Sequence, residues 1–64
     1  MNQHTAKMLA AKHGARFIVD RSASEYHIET KDGRLITLTG DRLKEHTTAS
    51  LEALIVRERQ EVQP

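Results

Sequence analysis

The tripeptide Lys31-Asp32-Gly33 joins two stretches in which apolar and polar side chains alternate, residues 25–30 and 34–39. Strict alternation marks a half-buried strand, and an Asp-Gly pair between two such runs marks a hairpin. The length of the loop decides which side chains meet. A two-residue turn at Asp32-Gly33 sets Ile28 opposite Thr37 and throws the two apolar sets onto opposite faces. A three-residue loop, a type I turn ending on a left-handed residue, instead pairs Thr30 with Arg34, Ile28 with Ile36 and Tyr26 with Leu38. Gly33 suits that left-handed position because it lacks a Cβ. The pattern therefore predicts a bulged turn and a single register.

Residues 16–20 alternate in the same way, and the connection Arg21-Ser22-Ala23-Ser24 sets Val19 against Tyr26 and Phe17 against Ile28. Phe17, Val19, Tyr26, Ile28, Ile36 and Leu38 then share a core face. Ile18, Glu25, His27, Glu29, Leu35 and Thr37 share an open one, as an antiparallel sheet permits. Upstream, residues 4–13 are helix formers ending at Gly14, with Thr5, Met8, Leu9 and Lys12 on one stripe and Ala6 and Ala10 beside it. Downstream, Asp41 is placed to cap a short turn holding Leu43, and Thr47 or Thr48 to cap a last helix. Leu51, Leu54, Ile55 and Val62 form the apolar stripe of that helix. The expected fold is α+β in the order α-β-β-β-α: a three-stranded antiparallel meander with two helices packed on one face. One domain spans residues 1–64, with residues 1–3 and about 60–64 expected to fray.

At 64 residues such a chain buries only about 60% of the surface its unfolded form exposes. A core of that size rarely supplies more than roughly 3–5 kcal/mol. Cysteine is absent, which excludes disulfides and thiolate metal sites and fits a reducing compartment. A binding partner is the remaining supplement, and a second copy is its simplest form. No apolar run reaches the length of a membrane span and no signal-peptide segment is visible, so a cytoplasmic location is expected, with no membrane partner. Ten Lys+Arg against nine Asp+Glu leave little basic excess, so any nucleic-acid contact must come from a local patch.

The order and length resemble the double-stranded-RNA-binding-domain fold, in the compact version of the HicA-type toxins, which are small bacterial mRNA interferases. Asp32-Gly33-Arg34-Leu35-Ile36-Thr37-Leu38 looks like that family's turn and third strand, and Thr48-Ala49-Ser50-Leu51-Glu52-Ala53-Leu54-Ile55 like its last helix. The resemblance runs from Ala6 to about Ile55. In the family a catalytic histidine follows a Gly-Ser pair at the start of the second strand. The corresponding stretch here is Ala23-Ser24-Glu25, with glutamate in the histidine's place and His27 two residues on. The resemblance thus implies the fold and a nucleic-acid surface, without the family's catalytic route.

That surface, carried over by position, takes Lys7 and Lys12 from the first helix and Arg21, Ser22 and Ser24 from the first loop. Arg42, Lys44 and His46 come from before the last helix. Together they suit a duplex read by shape and phosphate; the plainer reading is a set of solubilising charges. A regulator of bacterial or phage type that contacts double-stranded RNA or DNA is the first expectation. A dimeric protein-interaction module that inhibits or recruits a larger partner is the second, and a degenerate toxin-like ribonuclease the third. For the protein interface the open face offers Ile18, His27, Leu35 and Thr37, and the last helix Val56. An edge at residues 34–39 with neither proline nor inward charge invites pairing into a homodimer. No catalytic residue is assigned. His4, His13, His27 and His46 lack the helical spacing that brings metal ligands together, so neither a metal nor a cofactor is expected.

Overall fold

Asn2 opens the first helix, α1 (Gln3–Lys12), by accepting a hydrogen bond from the Thr5 amide at 2.8 Å. The helix closes through Gly14 at φ +71°, with Gly14 N–H donating to Ala11 and Ala15 N–H to Ala10. The computed structural model describes residues 1–60, and after α1 come β1 (Arg16–Asp20), β2 (Glu25–Glu29), β3 (Leu35–Thr39), α2 (Gly40–Glu45) and α3 (Thr48–Gln60). Val62 and the stretch beyond residue 60 lie outside the described residues.

The sheet is antiparallel in the order β1-β2-β3, and its register is the expected one. Phe17 faces Ile28, Val19 faces Tyr26, Ile28 faces Ile36, and Tyr26 faces Leu38. Gly33 stands at φ +90° and donates to the Thr30 carbonyl at 2.9 Å, while Thr30 N–H closes the loop onto Arg34 at 2.8 Å. Thr30 is buried, and its hydroxyl accepts from the Arg34 amide at 2.9 Å. That side-chain bond holds the far side of the same loop.

Ile28, on the central strand, is fully buried in one core cluster with Ala6, Leu9, Ala10, Ile36, Leu38, Leu43, Leu51 and Ile55. Phe17 and Tyr26 stack at the edge of this core with centroids 5.6 Å apart. The face of α1 differs from the expected stripe. Ala6, Leu9 and Ala10 are buried, whereas Met8 is 60% exposed and Lys12 points outward. Two alanines let the helix backbone approach its neighbours closely, and that contact outweighs the burial of one flexible methionine. Val19 also departs from expectation at 41% exposed, because it sits at the loop end of an outer strand.

Between sheet and last helix the chain forms the six-residue helix α2 rather than a bare turn. Its cap is Thr39, whose hydroxyl accepts from the Arg42 amide at 3.2 Å; Asp41, expected as the cap, lies in the first turn. For α3, Thr47 Oγ1 accepts from the Ser50 amide at 3.1 Å and Ser50 Oγ from the Thr47 amide at 2.9 Å, a reciprocal cap. Residues 1–3 carry bonds of their own, because the Met1 ammonium donates to the carbonyls of Leu43, Lys44 and His46. Among the described residues no helix is long and apolar enough to cross a membrane.

Candidate functional site

The β1–β2 loop, the start of α1 and the start of α2 meet at one end of the sheet around a groove of about 610 Å³. Gln3, Val19, Arg21, Ser24, Tyr26 and Gly40 line it, together with the carboxylates of Asp20, Glu25 and Asp41. Gln3 donates to the Tyr26 hydroxyl at 2.8 Å and closes one wall. A second, smaller groove shares Gln3 and Val19 and is flanked by His4, Lys7 and Phe17.

Arg21 lines the larger groove and Lys7 the smaller, and the sequence-predicted cations as a set divide into two kinds. Lys12 is ion-paired to Glu52 at 3.1 Å, and Arg42 to Glu45 at 3.9 Å. His46 has its Nδ1 2.9 Å from Ser50 Oγ in the α3 cap. Lys7, Arg21 and Lys44 are exposed and have no acidic side chain in ion-pairing range among the described residues. Ser22 donates to Asp20 Oδ1 at 2.8 Å, so its hydroxyl serves the loop. Ser24 is held at φ +54°, a left-handed backbone uncommon outside glycine and asparagine, and it turns the loop into β2.

On the open sheet face, Asp20 and Glu25 are direct cross-strand partners. The Asp20 carboxyl is held below the ordinary carboxylate range, first by the Ser22 hydroxyl and then by the Ala23 amide. Both donors occupy Oδ1. The other oxygen, Oδ2, stands 4.0 Å from His27 Nε2, and Glu25 Oε1 stands 3.9 Å from the same nitrogen. His27 Nδ1 lies 3.0 Å from Thr37 Oγ1 on the next strand. Sequence reasoning sought metal ligands at helical spacing; it set Glu25 and His27 together on the open face but did not join Asp20 to them. The signal was a Glu-x-His pair at strand spacing with Asp20 opposite the glutamate, legible only once the register is known.

Of the residues expected at a protein interface, Leu35 is 58% and Ile18 36% exposed, on opposite outer strands. Val56 is half-buried on α3. Compared with known proteins, the chain matches no family model, no curated protein and no solved structure.

Proposed function

We propose that the protein is a small binding module that contacts a nucleic-acid duplex through Lys7, Arg21 and Lys44. One observation carries this reading: three exposed cations without an acidic partner among the described residues come from α1, the β1–β2 loop and α2, Arg21 and Lys7 lining adjoining grooves and Lys44 lying on the helix whose first residues line the larger one. These are also the elements that the resemblance to the double-stranded-RNA-binding fold implies. Asp20, Glu25 and Asp41 line the same groove as Arg21 and oppose phosphate there, so the contact is made by the exposed cations outside the groove as well as by Arg21.

Three phosphate contacts give a log–log salt slope of about −2 to −3, since each releases close to one counterion. Fluorescence anisotropy with labelled duplex RNA and duplex DNA measures that slope. Arg21→Glu together with Lys44→Glu abolishes binding and leaves the circular dichroism spectrum unchanged. Absence of duplex binding at low salt, or binding that survives both reversals, removes this reading.

The exposure of Leu35 favours a second reading. Leu35 opens β3, an edge strand of the sheet, and an apolar edge is a template for pairing with another chain. A protein partner or second copy added there extends the sheet. Sedimentation that shows only the 7.3 kDa monomer at micromolar concentration eliminates the homodimer.

A further inference from the structure

The duplex-binding reading leaves the open sheet face without a role, and its layout is unfavourable as it stands. Asp20 and Glu25 face each other directly across β1 and β2, where like charges weaken an antiparallel pair. His27 is on the same face, and its Nε2 is about 4 Å from an oxygen of each, too far for a hydrogen bond. That spacing does match three donors around one cation. With Nε2 4.0 and 3.9 Å from the two oxygens and the three ligand atoms within 4.8 Å of one another, a centre equidistant from them is about 2.5 Å or less from each, against ~2.0–2.2 Å for imidazole and carboxylate on zinc. Closing the gap takes a few tenths of an ångström. Side chains 19%, 39% and 36% exposed have room for that.

The remaining polar atoms of His27 and Asp20 already have partners. With its proton on Nδ1, His27 donates to Thr37 Oγ1 and presents the Nε2 lone pair to the carboxylates. Asp20 has Oδ1 occupied by Ser22 and Ala23, which leaves Oδ2 to face His27. Outer partners of this kind orient metal-binding histidines and carboxylates. One imidazole nitrogen with two carboxylates favours a borderline ion over magnesium or calcium, which prefer oxygen alone.

We propose that Asp20, Glu25 and His27 bind a divalent transition-metal ion of the zinc class, with the outward coordination positions left to water or an external ligand. Asp20 and Glu25 also line the groove beside Arg21, so metal binding is tested without nucleic acid and its outcome does not depend on the duplex reading. Zinc chloride is titrated into the full chain at neutral pH by calorimetry, with magnesium chloride in parallel and the histidine ring nitrogens followed by NMR. The expected result is one saturable zinc site, a shift at His27 Nε2 and a proton retained on Nδ1. Asp20→Asn and His27→Gln, each checked for fold by circular dichroism, weaken zinc binding by at least about tenfold, and Thr37→Val by a smaller factor. Three outcomes overturn the proposal: no saturable binding up to millimolar zinc, unchanged affinity in His27→Gln, or magnesium binding as tightly as zinc. Unchanged affinity in that variant would move the metal elsewhere, the His13–Glu52 pair being the next place to look.

Discussion

Replacing Gly33 by valine, alanine and asparagine measures what the bulged turn asks of the backbone. Gly33 sits at φ +90°, and a Cβ built there has no heavy atom within 4 Å. Nothing is crowded, so any loss reports conformation alone. The Gly33 amide keeps its bond to the Thr30 carbonyl in all three variants. Left-handed backbone costs an ordinary L-residue about 1–2 kcal/mol, with β-branched residues at the upper end. Against this, any side chain narrows the unfolded ensemble and offsets about 0.4–1 kcal/mol. The net is about 1 kcal/mol for valine, about half that for alanine, and near zero for asparagine, which tolerates the left-handed region. A domain of this length shifts its melting temperature by about 4–8 °C per kcal/mol. Thermal and urea unfolding followed by circular dichroism should therefore place valine roughly 4–8 °C below the parent, alanine between, and asparagine beside it. Equal melting temperatures for valine and asparagine would refute the left-handed assignment, and with it the reason given for the register.

Leu51 is fully buried in the core, and Leu51→Ala is expected to lose about 2–5 kcal/mol, most of what a domain this small has. A urea midpoint close to the parent's would show that α3 contributes little to the core. Glu52 is held below the ordinary carboxylate range, first by its hydrogen bond to His13 and then by Lys12. A carboxylate lowered on folding stabilises fully above its unfolded value, about 4.3, and loses that contribution as pH falls through the lower folded value. The stability difference between the parent and Glu52→Gln should accordingly shrink from pH 7 towards pH 3; a constant difference would show that the carboxylate's charge contributes nothing.

The sheet was readable because alternation leaves few choices. Once Ile28 must face Ile36, the loop has to contain three residues, and Tyr26, Val19 and Phe17 follow. Helix α1 was harder, since Met8 is more apolar than Ala6 or Ala10 yet lies outside. Closeness of approach depends on the partner surface, which no single helix pattern displays. The left-handed Ser24 gave no local sign, because serine has no special claim to that conformation. Asp20, Glu25 and His27 are ordinary surface residues in one dimension. They form a group only after two strands have been aligned and a third has supplied Thr37.

Strand β2 serves both faces of the sheet at once. Tyr26 and Ile28 look into the core while Glu25 and His27 look out, so each residue's role depends on whether its position is odd or even. Inserting a single residue between Glu25 and Ile28 would exchange the two roles beyond that point, burying charge and exposing the core together. Two inserted residues would keep the parity. Length variation tolerated within this strand should come in twos, while the loops on either side absorb single residues.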